Sequence, residues 1–304
     1  MTATPPTPRR LTIVDIAKLY ADDIRIPMLT AYDFPTARLL DEAGIPLILV
    51  GDSVGQVILG YETTVRVTMA EMIHHTKAVV RGTQRAIVVA DMPFLSYSAP
   101  AEALENAGAF LREAGAQAVK VEGGTRSARI IETLVRAGIP VMGHIGLTPQ
   151  AINAIGKVRV QGKSRDQARA LMADAQAVQE AGAFAVVLEL VPEQLATAIT
   201  ERTRIPTIGI GAGAGCSGQV QVITDLIGLG DFSPRHARQY AHVRETILQA
   251  ALAYAADVTA GTFPGPQETV RMDDAVLDAV LGRGASDRPA NELPIGGIPL
   301  DRDL

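Results

Sequence analysis

The chain has 304 residues, 47% hydrophobic and 20% charged, a globular composition long enough for one large barrel or two ordinary domains. A net charge of −5 with no basic run argues against a nucleic-acid partner. The lone Cys216 excludes an intramolecular disulfide framework and suits a reducing, cytoplasmic compartment, and no apolar run reaches the roughly 20 residues needed to span a bilayer.

Residues 1–10 are rich in Pro and Thr, lack a signal-peptide apolar core, and are expected to be mobile. Leu11–Tyr20 reads as a short amphipathic helix. Strand-like and helix-like segments then alternate. Strands are expected at Pro27–Ala31, Pro46–Gly51, Ala86–Ala90, Gln117–Val121, Pro140–Gly143, Ala185–Leu190, Thr207–Ile210 and Leu226–Leu229. This alternation predicts a parallel α/β sheet. With aromatics at 4% and no Trp, the core falls to Ala, Val, Ile and Leu, the side chains that fill a (β/α)8 TIM barrel.

Local signals support the helices. Thr68 and Glu71 have the spacing of a capping box ahead of Met72–Val80. Ser233–Pro234 reads as an N-cap with a first-turn proline. The phrases EAGIP (42–46), RAGIP (136–140) and EAGA (180–183) each suit a helix ending on a C′ glycine. Gly146–Lys163 is a long loop after the fifth strand, of the kind that carries function. Residues 11–265 are expected to form the barrel and 266–304 an extension. Asp273–Leu281 in that extension reads as a helix and Gly282–Leu304 as a flexible tail.

Six strand-like runs end on polar or glycine-rich groups: Asp52–Ser53, Asp91, Lys120 with Glu122, His144, Glu189, and Gly211–Gly213. Barrel active sites lie at the carboxyl ends of the strands, so these residues should share one mouth. Asp52 or Asp91 alone reads as readily as a helix cap. Three carboxylates together with Glu122 would repel unless protonated or bound to a cation, and oxygen ligands without a Cys/His cluster favour Mg2+. Lys120 and Glu122, two apart, face the same side of one strand, either as a self-satisfied buried pair or as a substrate-binding pair. Glu189, flanked by Leu188 and Leu190, suits a general base; a capping or ion-paired role fits its spacing equally well. His144 is read either as a donor to a substrate oxygen or as a satisfied core histidine. His74, His75, His236 and His242 are placed on helices as structural or surface groups. GxGxxG occurs at 213–218, but no acidic residue follows at the distance a dinucleotide fold requires, which disfavours that fold. The glycines can instead cradle phosphate or let a ligand approach the backbone.

Together the motifs MLTAYDFPTARLLDEAGI, VGDSVGQVILGYETT, VVADMPFLSY, AVKVEGG, GIPVMGHIGLTPQ, VLELVP and IPTIGIGAG resemble, in order, the ketopantoate (3-methyl-2-oxobutanoate) hydroxymethyltransferase family. The resemblance implies a barrel of the phosphoenolpyruvate/pyruvate type that uses one Mg2+ per subunit and assembles as a homo-oligomer, commonly a decamer. It implies transfer of a hydroxymethyl group from 5,10-methylenetetrahydrofolate to 3-methyl-2-oxobutanoate through a Mg-stabilised enolate, in pantothenate biosynthesis. Asp52, Asp91 and Glu122 match its metal positions. Asp52, Ser53, Asp91 and Lys120 match its ketoacid positions, and His144 lies near the ketoacid in a matching motif. Glu189 matches its proton acceptor. The sequence departs from the pattern at AIGKVRVQGKS (154–164), where a second glycine and QGR are expected. A related Mg-enolate lyase or mutase is the nearest rival, although Cys216 is not in the loop context those enzymes use. A non-catalytic ketoacid- or folate-binding barrel is a further rival.

Overall fold

The computed structural model describes residues 9–282. Eight parallel strands close into a barrel in sequence order: β1 (Ile26–Thr30), β2 (Leu47–Val50), β3 (Ile87–Asp91), β4 (Ala118–Glu122), β5 (Val141–Gly146), β6 (Ala185–Glu189), β7 (Thr207–Ile210) and β8 (Gly218–Gln221). β8 pairs with β1 through Ile26↔Gly218 to Leu29↔Gln221, which completes the ring.

Alternation along the strands sorts the core into two layers. Met28, Leu47, Leu49, Ile87, Val89, Ala118, Met142, Ala185, Val187, Ile208 and Val220 form one buried cluster, the barrel interior. Their neighbours Ile48, Val50, Val88, Ala90, Val119, Val121, Val186 and Leu188 form the other, packed towards the helices with Met72, Val79, Leu134 and Val178. The helix Ile13–Ala21 buries Ile16 in the interior cluster beside Ile26 at the start of β1. Full burial of one such side chain contributes about 1.5–3 kcal/mol.

The first seven strands lie where the alternation placed them, within a residue or two, except that β5 runs three residues further, to Gly146. The eighth does not. Leu226–Leu229 is the end of a short helix, Ile223–Leu226, and the turn after it; the strand is Gly218–Gln221. A two-faced apolar run drew the expectation to 226–229, whereas GQVQ has polar residues at alternate positions and hides behind the glycine loop. Gly218 is required there, because a Cβ would collide with the Ile26 carbonyl oxygen and a side chain of Ile208.

The capping box at Thr68 and Glu71 is present, opening the helix Met69–Gly82. Ser233–Pro234 caps no helix; residues 231–242 form turns and irregular chain, so His236 and His242 lie outside helices. His74 and His75 are helical as expected. The long loop after β5 contains a 3-10 turn, Pro149–Ala151, and a one-turn helix, Ile152–Ile155.

The chain falls into two compact units, one through Arg244 and one from Glu245 onward. The second holds most of the helix Val243–Ala260 and the helix Asp274–Leu281, whose Asp273 cap accepts from Ala275 N–H. Most of the N-terminal arm (1–8) and of the C-terminal tail (283–304), expected to be mobile and flexible, lies outside the described residues. Among the described residues no helix is long and apolar enough to cross a membrane.

Candidate active site

The alternation that builds the barrel interior also aims the site. Asp91 continues the row Ile87–Val89, Lys120 and Glu122 continue from Ala118, His144 from Met142, and Glu189 from Ala185–Val187. Each polar side chain therefore points inwards at the carboxyl end of its strand. Register makes them neighbours: Asp91 pairs with Lys120, and Glu122 with His144.

The contacts form a continuous chain. Lys120 Nζ lies 3.0 Å from Asp91 Oδ1 and 3.0 Å from His144 Nδ1. His144 Nδ1 is also 3.4 Å from Glu122 Oε1, and His144 Nε2 is 3.1 Å from Glu189 Oε2. The Asp52 backbone N–H donates to Asp91 Oδ2 at 3.0 Å. Ser53 shares a 2.8 Å hydrogen bond with the Tyr32 hydroxyl. Asp52 does not cap the following helix; Ser53 occupies that position and makes no capping bond.

Glu189 is held at the rim by its backbone. Leu147 N–H donates to the Glu189 carbonyl at 2.8 Å. Gly146, at φ +95°, passes so close to that carbonyl that a Cβ would collide with it. The glycine is thus demanded by both conformation and space.

Burial dominates the electrostatics. It lifts the Asp52 carboxyl to about 8, helped by the charges of Asp91 and Glu122 and opposed by Lys120 and a Gln150 hydrogen bond. Asp91 is also raised by burial, against the opposing pull of Lys120. For Lys120 burial works downwards, but Asp91, Glu122 and Asp52 outweigh it and hold the ammonium above its ordinary value. Burial and Lys120 depress His144, yet hydrogen bonding to Glu122 and Glu189 prevails and lifts it to about 9. Nδ1 of that ring faces Lys120 and Glu122, and Nε2 faces Glu189.

Sequence reasoning passed over Gln150. The loop after β5 folds back across the mouth and inserts this side chain among the acids. Gln150 Nε2 donates to Asp52 Oδ2 at 2.8 Å and to the Met92 carbonyl at 2.9 Å. Its backbone N–H donates to Glu122 Oε2 at 3.1 Å, and its Oε1 accepts from Tyr97 at 2.6 Å. Its position within the quoted motif GIPVMGHIGLTPQ was the signal available; an uncharged amide in a loop attracts no attention from composition or period.

These residues floor a cavity of about 940 Å³, at the upper end of small-molecule sites. Thr30, Leu49, Val187 and Val220 line its base, and Leu229–Asp231, Phe232 and Pro234–His236 form one wall. His236, read from sequence as structural or surface, is part of that wall. Gly211 packs against Leu190 and His236, and Gly213 against Glu193, so these glycines allow close packing of protein against protein. Cys216 is buried and is not part of the cavity lining. Among the described residues no group of three or more His, Cys, Asp or Glu side chains is arranged so that it could hold a metal ion.

A sequence profile described as Ketopantoate hydroxymethyltransferase matches residues 10–266. The 3-methyl-2-oxobutanoate hydroxymethyltransferase of Chloroflexus aurantiacus is 63% identical over 274 residues, covering 90% of this chain and 97% of the relative. That of Dehalococcoides mccartyi is 53% identical over 271 residues, covering 88% and 97%. Among solved structures, a phosphonopyruvate hydrolase complex with oxalate and Mg++ has a TM-score of 0.55 at 13% identity, covering 90% of this chain and 99% of that one. A 2,3-dimethylmalate lyase of the PEP mutase/isocitrate lyase superfamily has a TM-score of 0.54 at 16% identity, covering 90% and 100%. At such identities these two establish the fold alone, an eight-stranded parallel TIM barrel. The profile and the identities of 53–63% over about nine-tenths of the chain establish more: the chain belongs to the ketopantoate hydroxymethyltransferase family.

Proposed function

We propose that Asp52, Asp91 and Glu122 hold a Mg2+ ion at the barrel mouth, that Asp52, Ser53, Asp91 and Lys120 bind the ketoacid with His144 beside it, and that Glu189 removes its C3 proton. The activity itself follows from the family: the chain is a 3-methyl-2-oxobutanoate hydroxymethyltransferase of pantothenate biosynthesis, and the family implies a folate cosubstrate. The observation that carries the residue roles is the contact chain Asp91–Lys120–His144–Glu189, which joins a carboxylate at the floor to one at the rim.

The donor set fits a hard divalent cation. It is all oxygen and buried, and Asp91 Oδ1 and Glu122 Oε1 already face the cationic side chains of Lys120 and His144, at 3.0 and 3.4 Å. Mg2+ is held by one or two carboxylates with several waters and substrate oxygens, so a complete protein cage is not needed. When bound, the ion supplies Lewis acidity to the ketoacid oxygens.

The chain's own groups account for the rest. Lys120 lies where a ketoacid oxygen gaining negative charge would need a cation. His144 Nε2 faces Glu189 and orients the carboxylate that takes the C3 proton. C3 bonds to the one-carbon unit of 5,10-methylenetetrahydrofolate, and both C–N bonds of that unit, to N5 and N10, are broken overall. Water supplies the hydroxyl. The proton taken by Glu189 and one from that water go to the two nitrogens, so that 2-dehydropantoate and tetrahydrofolate leave.

The barrel domain over residues 11–265 is part of this proposal, supported by the profile match to 10–266. So is assembly as a homo-oligomer, a decamer by the resemblance. Ile247, Leu248, Leu252 and Tyr254 are exposed on the helix Val243–Ala260, apolar surface that a second copy can cover. A cytoplasmic setting keeps buried Cys216 reduced. Formation of 2-dehydropantoate from 3-methyl-2-oxobutanoate and methylenetetrahydrofolate, measured with and without Mg2+, tests the reading. Turnover that requires a divalent ion supports it; full turnover in excess chelator contradicts the metal assignment.

A further inference from the structure

The carboxylates lining the cavity outnumber those the reaction uses. Asp52, Asp91, Glu122 and Glu189 belong to the inner chain of contacts, Asp231 is ion-paired with Arg244 at 2.6 Å, and Glu62 is exposed. Asp225 remains. It is half-buried, faces the cavity, and its carboxylate makes no hydrogen bond or ion pair among the described residues. Burial raises its pKa, with His236 as the opposing charge.

A second observation marks the same place. The Thr224 hydroxyl is buried, lines the cavity and has no hydrogen-bond partner. A buried polar atom without a partner is destabilising unless something supplies one. Both residues follow β8, and Ile223 N–H is fixed to Thr30 Oγ1 at 2.9 Å, so their backbone is tied to the barrel. Val222, Leu229 and Phe232 give this end apolar walls, and Phe232 is 76% exposed at the rim. His236 packs over Gly211, which directly follows Ile210, the register partner of Glu189. Asp225, His236 and Glu189 line the same cavity.

We infer that Asp225 and Thr224 form the subsite for the pterin head of the folate cosubstrate. This deepens the reading under Proposed function and rests on it. A 2-amino-4-oxopteridine presents two adjacent N–H donors, on N3 and the 2-amino group, which a carboxylate accepts side by side. The ring is flat and apolar on both faces, matching the walls. The Thr224 hydroxyl finds its missing partner on a ring heteroatom. With the pterin anchored after β8, its one-carbon unit lies in the cavity that Glu189 lines.

The test is calorimetric binding of 5-formyltetrahydrofolate to the full chain, with 3-methyl-2-oxobutanoate titrated separately. Asp225→Asn keeps the shape but removes the charge and turns one of the two acceptor oxygens into a donor, and it should weaken the folate probe about tenfold to a hundredfold. Thr224→Val should weaken it several-fold, while ketoacid affinity stays within about twofold in both. Should the variants fail to fold, an analogue with methyl in place of the 2-amino group should lose a similar factor on the unsubstituted protein. Asp225→Asn binding the probe as tightly as wild type, or the analogue binding as tightly as the parent compound, overturns the inference. Loss of the C3 proton from the ketoacid without folate reports on Glu189 separately. Exchange that persists while the Asp225 result fails removes only the subsite; absent exchange and absent transfer remove the underlying reading.

Discussion

His144 Nε2 lies 3.1 Å from Glu189 Oε2 while the other ring nitrogen faces Lys120. One imidazole thus links the cation at the floor of the site to the carboxylate at its rim. Replacing it by His144→Leu leaves Glu189 in place but unoriented. Steady-state kinetics should show kcat about tenfold to a hundredfold lower, the scale of losing an orienting partner.

Lys120 and Asp91 form a buried pair, with side-chain exposures of 5% and 3%. Removing one partner strands the other charge. Lys120→Met is therefore expected to destabilise the metal-free protein by about 3–5 kcal/mol in urea denaturation. Added Mg2+ should recover part of that loss, since a cation again faces the acids.

Gln150 fixes the Asp52 carboxylate and, through its backbone, Glu122. Gln150→Leu keeps the bulk but removes the side-chain donors. Mg2+ affinity measured by calorimetry should fall about tenfold to a hundredfold. The melting temperature of the metal-free protein should move far less.

How much of this was legible in the sequence depends on periodicity. β4 could be read from Ala118, Lys120 and Glu122 alternating with Val119 and Val121, because strand parity alone decides which side faces the mouth. Asp91, His144 and Glu189 followed from the same rule at the ends of their own strands. β8 obeyed no such pattern, since Gly218 is dictated by contact with the Ile26 backbone rather than by its own neighbours. Gln150 and His236 reach the site through loops, whose path is set by the strands they cross. Thr224 and Asp225 sat in what read as the approach to a strand, so nothing in one dimension pointed them at the cavity.

The metal-free site should titrate. Asp52 moves from 3.8 to about 8, so the folded state keeps a proton that the unfolded chain releases. This contribution to stability is fully present below the unfolded value, declines as pH rises, and is gone above about 8. A divalent ion takes the proton's place. Mg2+ binding is expected to release a proton and to tighten as pH rises towards about 8, checked by calorimetry in buffers of different ionisation enthalpy.

The division of labour at the mouth stands or falls on Glu189. Proton NMR in D2O follows loss of the C3 hydrogen of 3-methyl-2-oxobutanoate with Mg2+ present and folate absent. Wild type should exchange it readily, and Glu189→Gln should slow exchange by about a hundredfold or more while retaining the wild-type melting temperature. Exchange by Glu189→Gln at the wild-type rate would contradict the account.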